Sequence, residues 1–512
     1  MSPHPERIAL LGLDIGTTSC KVICYAANGE RIAEAATGYA VSMPRPGWAE
    51  LDPADVLGAV RQVLAGVAPA LGRFERLAMA IAAQGEAFVL VDAAGEPLAP
   101  APVSVDMRGR EAIAALNAVP AAARAAREAG QELTSLTSLA KLLWFRDAPD
   151  DLLGRTEKAL CVGEFVARYF GLVPVMDHSM AARTGLLDVP RRDWSAELLA
   201  AAGLPRDLLP AVAPSGSYVG TVPRQRTAEL GLSLPIEVYT GGHDQACAML
   251  GAGVTDATTA LYSIGTTEAI GVPTRDVTVD LSSLHILPYP HVVEGTLVLL
   301  FGSQHGGRVL PWLGGLLGRD GAIVPETPPA RPSSLTVVPH MAGTGTVLAA
   351  DRARATIHGL GYDTTPDELI LATLEGVTME QALGLKRLIG KGFGIAGLRA
   401  VGGGARSDSW MQMKADIIGL PIDCLEEPDT ACAGAAVLAG LGAGVFASAE
   451  EAAGRLVTIR GRFAPRREWH AVYARKLALY EATYRATAGL QPLQEDIEDA
   501  VARLDCVTKG IE

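Results

Sequence analysis

The sequence has little that would link it to nucleic acid, a membrane or an oxidising compartment. It carries 44 Lys and Arg against 57 Asp and Glu, a net charge of −13, so it lacks a basic surface that would attract nucleic acid or anionic lipid. Its seven cysteines show no CxxC or zinc-finger spacing, which predicts reduced thiols. No basic segment followed by a long apolar run opens the sequence, so we expect no signal peptide and a cytoplasmic location.

Long hydrophobic runs are also scarce. The uncharged stretch 430–449 consists mostly of Ala and Gly, so its transfer to lipid would gain little, and we predict a buried, closely packed helix. Further helices are predicted over 54–71, 111–129 and 366–391. With 512 residues the chain is too long for one core, because domains average about 150 residues.

A strand–turn–strand unit occurs twice, about half a chain apart. Residues 11–25 (LGLDIGTTSCKVICY) and 261–273 (LYSIGTTEAIGVP) both place Ile-Gly-Thr-Thr between two apolar strands. The echo predicts two related α/β domains that face a cleft, with a chance match of four residues as the alternative. We divide the chain into domains at 1–254 and 255–490 and an acidic tail at 491–512.

The first copy of this unit has the residue types of a phosphate and metal site. Gly16 allows a ligand to approach the backbone, and Thr17 and Thr18 offer hydroxyl and N–H donors to a phosphate. Asp14 is a hard oxygen ligand that suits Mg²⁺. The alternative is a hairpin turn in which Asp14 has only a capping role.

The second copy has Ser263 where the first has Asp14, as expected if one metal ion serves one nucleotide. Two facing Gly-Thr-Thr turns could hold phosphates from both sides. A third glycine turn, 402–404, lies between an apolar strand and a helix, where a flat ligand could lie against the backbone. It is not GxGxxG, and a structural tight turn is the alternative.

Asp244 follows the apolar strand IEVYT and two glycines and opens a helix. A carboxylate there could accept the proton of an attacking hydroxyl, or it could only cap its helix. His243 has no partner at metal-ligand spacing, and we assign it no role. Three polar residues after other strands could bind substrate hydroxyls, although each alone is typical of a solvated loop: Glu86, Asp106 and Arg108.

The motifs DIGTT, GWAELDP, QGEAF, GGHD, SIGTTEA and GGGARSDSW, in this order over residues 8 to about 447, resemble the FGGY family of carbohydrate kinases. The resemblance implies two actin-like (RNase H-like) ATPase domains with a cleft between them, and ATP and Mg²⁺ as cofactors. It implies that Asp244 is the catalytic base and that Asp14 lies near the magnesium. The other implied contacts are Thr17, Thr18, Gly265, Thr266 and Thr267 to phosphates, Gly403, Gly404 and Ser407 to adenosine, and Glu86, Asp106 and Arg108 to the acceptor.

The sequence departs from well-known members at the acceptor. Xylulose kinases usually have Met-His where this chain has Gly85-Glu86, and glycerol kinases have Arg in place of Gly85. We therefore expect a kinase that phosphorylates a hydroxyl of a small sugar or polyol, with a pentulose-like sugar favoured. The alternatives are a linear polyol kinase, an actin- or chaperone-like ATPase with a protein partner, and a sugar sensor without catalysis. The sequence leaves open whether the chain forms a homodimer.

Overall fold

The structure is a computed structural model that describes residues 7–319, 324–350 and 352–508, without the side chains of 502 and 505–508. The strands of its first half are β1 (Ile8–Ile15), β2 (Ser19–Ala26), β3 (Arg31–Gly38), β4 (Glu50–Leu51), β5 (Arg76–Ala83), β6 (Phe88–Val91), β7 (Ala101–Pro102), β8 (Lys158–Cys161), β9 (Val175–Asp177), β10 (Leu187–Asp188), β11 (Asp193–Trp194), β12 (Ala211–Ala213), β13 (Tyr218–Val222) and β14 (Ile236–His243). The main sheet has the order β13-β14-β5-β1-β2-β3. Strands β14, β5 and β1 run parallel, and β1, β2 and β3 form the predicted antiparallel unit.

Several helices of this half begin at a capping residue or a proline. They are α1 (Pro53–Leu71), α2 (Arg110–Asn117), α3 (Pro120–Glu128), α4 (Ser138–Asp147), α5 (Val162–Tyr169), α6 (His178–Arg183), α7 (Ala196–Ala202), α8 (Arg224–Ala228) and α9 (Asp244–Gly251). The α1 prediction is confirmed, with Asp52 accepting a 2.8 Å bond from the N–H of Ala54. The single helix predicted at 111–129 is wrong. Pro120 holds Val119 in an extended conformation, so the chain makes two helices there.

The second half repeats the plan of the first sheet. Its strands are β15 (Thr259–Ile264), β16 (Glu268–Thr274), β17 (Tyr289–Pro290), β18 (Leu297–Ser303), β19 (Thr336–Val338), β20 (Thr356–His358), β21 (Gly397–Val401), β22 (Ile422–Leu425) and β23 (Ile459–Phe463). The sheet order is β17-β18-β16-β15-β21-β22-β23. Here β18, β16 and β15 form an antiparallel unit, and β21 and β22 continue it in parallel with β15. The two α/β domains predicted from the echo are confirmed.

The helices of the second half are α10 (Val309–Leu316), α11 (Pro366–Gly390), α12 (Asp408–Ile418), α13 (Thr430–Gly442), α14 (Ala449–Leu456), α15 (Arg467–Ala488) and α16 (Gln491–Thr508). The prediction of a long helix from residue 366 is confirmed. The segment that we separated as a tail is helical over α16, and Glu495 and Glu498 in it pair with Arg352 and Arg354.

Helix α13 confirms the buried helix predicted in the Ala- and Gly-rich stretch. Although it belongs to the second half of the sequence, it packs on β1 and α9 of the first. A Cβ at Gly12 would lie 1.8 Å from the carbonyl oxygen of Cys432, and one at Gly434 would lie 1.9 Å from that of Cys247. Only glycine permits backbones to approach so closely. The core of the first half of the sequence therefore includes a helix from the second half.

The cysteines and the apolar helix α1 relate to the predicted redox state and to a possible membrane span. Six cysteines are buried and unpaired, which agrees with the predicted reduced thiols: Cys20, Cys24, Cys161, Cys247, Cys424 and Cys432. Among the described residues, α1 alone is long and apolar enough to cross a membrane, which is weak evidence for a span. Its buried side packs on β2 and β3, as the core helix of a globular domain does.

Candidate active site

The carboxyl ends of β1, β5 and β14 meet at one edge of the first sheet. Asp14 of β1 and Gly242 of β14 both pair with Ala82 of the strand between them. Asp244 follows Gly242 by two residues, so both predicted carboxylates stand at the same sheet edge. The charge of Asp244 contributes to raising the pKa of Asp14, which shows that the two groups interact.

Asp14 has the features of a cation ligand. Its Oδ1 atom is buried and accepts no hydrogen bond from the described residues. Burial, followed by the charges of Asp244 and Asp429, raises the pKa of Asp14 to about 8, and Lys21 opposes this shift. An orphaned carboxylate oxygen fits a metal that is also held by nucleotide phosphates, which is how Mg²⁺ is usually bound. No cluster of three or more His, Cys, Asp or Glu suitable for a metal occurs in the described part of the chain.

The first Gly-Thr-Thr turn is attached to β5 by Gln84, which the sequence left without a role of its own. Thr17 Oγ1 donates to Gln84 Oε1 over 3.0 Å, and Gln84 Nε2 donates to the carbonyl oxygen of Gly16 over 3.2 Å. Thr17 and Thr18 are exposed. The turn therefore presents both threonines to solvent from a fixed backbone.

The second turn, Gly265–Thr267, is exposed in the same way but has a different support. Glu268 follows it and is fully buried, with its carboxylate 2.7 and 2.9 Å from Lys414 Nζ. The ammonium also donates to the hydroxyl of Tyr262 over 2.8 Å. Behind the turn, the N–H of Gly307 donates to the carbonyl oxygen of Gly265 over 2.7 Å. Sequence reasoning missed this ion pair, since a lone Lys in an amphipathic helix is ordinarily a surface residue.

The third glycine turn borders a pocket of about 250 Å³. Among its lining residues are Gly402, Arg406 and Arg460. Gly403 is exposed, and a Cβ there would meet nothing, whereas one on Gly404 would lie 2.3 Å from Ile264 Cγ2. Ser407 caps α12 by accepting from the N–H of Trp410 over 3.4 Å. These three predicted residues, Gly403, Gly404 and Ser407, adjoin the pocket but do not form its walls.

Asp244 lies at the first position of α9, after the N-cap residue His243, so it is not the helix cap. Its Oδ1 accepts from the N–H of Gln245 over 2.6 Å and lies 3.2 Å from His243 Nε2. Its Oδ2 has no hydrogen bond from the described residues. Burial raises the pKa of Asp244 to about 7, with a further upward contribution from Glu86 and opposing ones from the Gln245 N–H and from Arg183.

Glu86 lies close enough to Asp244 for its charge to raise the pKa of that carboxyl. It is buried, has a positive φ of 68°, and accepts from Arg183 Nε over 2.6 Å. A non-glycine residue in this conformation is uncommon and is held here by its surroundings, since the Ser138 hydroxyl donates to its carbonyl oxygen over 2.8 Å. Sequence reasoning missed Arg183, which α6 carries.

Asp106 and Arg108 form a buried pair. Both oxygens of Asp106 accept internal bonds, from the N–H of Ala49 and from Arg108. The Arg108 guanidinium also pairs with Glu50 over 2.6 Å and lies 3.9 Å from the ring centroid of Trp48. Because these groups are already satisfied, a contact of either with the acceptor stays a prediction.

Lys141 is a further buried charge that the sequence did not single out. Its Nζ donates to the carbonyl oxygens of Ser104, Ser135 and Leu136 over 2.6 to 3.0 Å. Burial lowers its pKa to about 8. It joins the loop before Asp106 to the start of α4. The only signal in the sequence was a Lys inside the apolar run SLAKLLWF.

Two sheet edges that each carry a Gly-Thr-Thr turn, with a carboxylate pair at one of them, fit a two-domain phosphotransferase. The family model for the N-terminal domain of the FGGY family of carbohydrate kinases matches residues 9–251, and that for the C-terminal domain matches 260–443. The chain belongs to the FGGY family of carbohydrate kinases. It is thus a phosphotransferase with an alcohol group as acceptor, and a kinase family implies ATP as the donor.

Similar proteins include xylulose kinases and glycerol kinases. A xylulose kinase from Staphylococcus epidermidis (strain ATCC 35984) is 26% identical over 94% of this chain and 97% of its own. A glycerol kinase from Polaromonas naphthalenivorans is 32% identical over 86% of this chain and 92% of its own. The crystal structure of a xyloylose kinase from Brucella ovis, 27% identical, superposes with a TM-score of 0.86 over 94% of this chain and all of that one. The predicted fold is confirmed, and the acceptor is a sugar or polyol.

Proposed function

We propose that the chain transfers the terminal phosphoryl group of ATP to one hydroxyl of a pentulose-like sugar, with Asp244 as general base. The observation that carries the proposal is the pair of carboxylates at one sheet edge. Asp14 has an unpartnered oxygen suited to a cation, and Asp244 has a free Oδ2 suited to a hydroxyl. Phosphoryl transfer needs both functions within one site, since the metal and the nucleophile act on the same phosphate.

The residues of the two turns would bind the donor. Thr17 and Thr18 from one side, and Gly265, Thr266 and Thr267 from the other, offer N–H and hydroxyl donors to phosphate oxygens. Asp14 would hold Mg²⁺, which when bound neutralises charge on the phosphates. Gly403, Gly404 and Ser407 adjoin the pocket of about 250 Å³, where adenosine would lie. These roles follow from residue type and position.

The acceptor hydroxyl would donate to Oδ2 of Asp244 and lose its proton to that atom during transfer. Glu86 and Arg183 stand beside the base as a hydrogen-bonding pair for neighbouring hydroxyls. Gly85 replaces the arginine of glycerol kinases, which argues against glycerol as the acceptor, although Gly85-Glu86 also differs from the Met-His of xylulose kinases. Closing the cleft would exclude water, which otherwise competes as acceptor.

Asp244→Asn tests the base. We expect turnover to fall by about 100-fold or more with ATP affinity unchanged, because the amide cannot accept the hydroxyl proton. Steady-state kinetics and calorimetric ATP titration measure the two. The matched control is Asp55→Asn, an exposed aspartate in the first turn of α1. Near-normal turnover of Asp244→Asn would remove Asp244 from the mechanism.

The acceptor is tested by ATP consumption with a panel of ketopentoses, aldoses and linear polyols. We expect a pentulose to give the highest kcat/KM, and a polyol that exceeds it would favour a linear polyol kinase. Consumption that no acceptor stimulates would instead support an ATPase. The cytoplasmic location and a homodimer remain predictions, which cell fractionation and analytical ultracentrifugation test.

A further inference from the structure

His243 stands between the proposed base and a residue of the second domain. Its Nε2 is 3.2 Å from Asp244 Oδ1, and its Nδ1 is 3.1 Å from the hydroxyl oxygen of Tyr289. Both His243 and Tyr289 are about 5% exposed or less. Tyr289 lies on β17, at the edge of the second sheet, whereas His243 ends β14 of the first. A continuous line of polar contacts thus joins the second domain to Asp244.

The position of the imidazole proton follows from the chemistry of the three groups. A carboxylate only accepts, so an ionised Asp244 requires the imidazole proton on Nε2. Nδ1 then has a lone pair and accepts from the Tyr289 hydroxyl. Burial, reinforced by the charge of Arg183, holds the pKa of His243 well below its ordinary value, so the ring is neutral and has one donor and one acceptor.

The surroundings leave the ring little freedom. The N–H of His243 donates to Ser179 Oγ over 2.9 Å. A Cβ at Gly85 would lie 3.0 Å from Cδ2 and 3.1 Å from Nε2 of the ring, and one at Gly242 would lie 2.4 Å from a methyl of Val292, near Tyr289 in the chain. The departure at Gly85, which the sequence left unexplained, thus makes room for His243.

We propose that His243 and Tyr289 are positioning residues: the Tyr289 hydroxyl holds the His243 ring so that Nε2–H fixes Oδ1 of Asp244 and turns Oδ2 to the acceptor. Oδ1 accepts from the N–H of Gln245 and has His243 Nε2 at 3.2 Å, so both neighbours hold this oxygen away from the reacting position. Tyr289 lies on a strand of the second sheet but packs in the core of the first half, so a strand of the second sheet contributes to orienting the base. The inference rests on the proposed role of Asp244.

Substitutions of His243 test, through their effect on kcat, whether His243 and Tyr289 position Asp244. His243→Phe keeps the ring volume and removes both polar contacts, so kcat should fall by about 10- to 50-fold, with ATP affinity unchanged and the acceptor KM within about threefold. His243→Gln returns an N–H near the position of Nε2 and should recover kcat to within about fivefold of the wild type. A purely structural role would not separate these two variants.

The link to the second domain is tested by a double-mutant cycle. Tyr289→Phe should lower kcat by about fivefold in the wild type and by less than twofold in the His243→Phe and His243→Gln backgrounds. The matched control is Tyr239→Phe, a buried tyrosine of β14, the strand that ends in His243, whose hydroxyl donates to Glu237 over 2.9 Å, and it should leave kcat unchanged. Thermal unfolding of each variant checks folding.

The results distinguish the positioning role of His243 and Tyr289 from the role of Asp244 as base. Loss of turnover in Asp244→Asn with wild-type kcat in His243→Phe would overturn the positioning role of His243 and leave Asp244 as the base. Effects of Tyr289→Phe that simply multiply with those of His243→Phe would overturn the role of Tyr289. Activity of Asp244→Asn would overturn the base itself. Should His243→Phe not fold, Tyr289→Phe in the wild-type and His243→Gln proteins decides.

Discussion

The two Gly-Thr-Thr turns have the same backbone plan but different electrostatic surroundings. In the first, the strand that enters the turn ends in Asp14, whose Oδ1 is buried and unpartnered. In the second, Ser263 stands at that position, and the buried carboxylate is Glu268, which is paired with Lys414. One turn keeps a carboxyl oxygen without a partner at the cleft, and the other has its carboxylate paired with an ammonium inside the domain.

This difference shows how one folding unit can be used for two tasks. An unpaired buried carboxylate costs stability and persists where a ligand will satisfy it, so the first turn is suited to chemistry. A buried ion pair with a tyrosine hydroxyl fixes the backbone that follows the turn, so the second is suited to holding a ligand. Four predictions test the comparison.

The largest effect is expected from Lys414→Met, which keeps the length of the side chain and removes its charge. Glu268 would be left buried without a partner, and the free energy of unfolding should fall by about 3–5 kcal/mol. Urea unfolding measures it. The double variant with Glu268→Gln should recover much of this loss. A Lys414→Met protein as stable as the wild type would show that the pair does not support the second turn.

Substitution of the residue on the strand before each turn, Asp14 or Ser263, should lower turnover to different extents. Asp14→Asn should lower kcat by about 100-fold or more, since it removes the proposed cation ligand. The matched change Ser263→Ala should alter kcat by less than about threefold. Steady-state kinetics at saturating ATP and acceptor measures both. Equal losses in the two variants would remove the functional distinction between the turns.

Asp14 should also make the free enzyme less stable at high pH. Its folded pKa of about 8 lies above the ordinary carboxyl value, so the stability from keeping it neutral is present at low pH and is lost as pH rises from about 4 to 8. Asp14→Asn should therefore raise Tm by about 2–4 °C at pH 8.5 and by clearly less at pH 5. Calorimetry without nucleotide checks this, with Asp55→Asn as control. A gain that does not depend on pH would contradict it.

The smallest effect concerns the nucleotide side. A Cβ at Gly403 would enter open space, so Gly403→Ala should leave Tm unchanged while weakening ATP binding by about three- to tenfold if adenosine lies against this residue. Gly404→Ala, with its Cβ 2.3 Å from Ile264, should lower Tm. Unchanged ATP affinity in Gly403→Ala would remove that residue from the proposed contact.

Much of the fold could be read from local patterns. The antiparallel units around Asp14 and Ser263 and the helix begun by Asp52 follow from alternation, glycine turns and capping, which act over a few residues. The single helix predicted over 111–129 was wrong because the effect of Pro120 on the residue before it was overlooked. The candidate site was predictable only for residues that stand in motifs.

The sequence by itself determined the repeated strand–turn–strand unit, the family and the carboxylates at positions 14 and 244, because these depend on residue types at short spacing. Tertiary structure alone decided that Arg183 reaches Glu86, that Lys414 neutralises Glu268 and that Tyr289 contacts His243. Each of these pairs joins residues that are distant in sequence. Only the packing of helices and sheets, driven by burial, brings them within hydrogen-bonding distance.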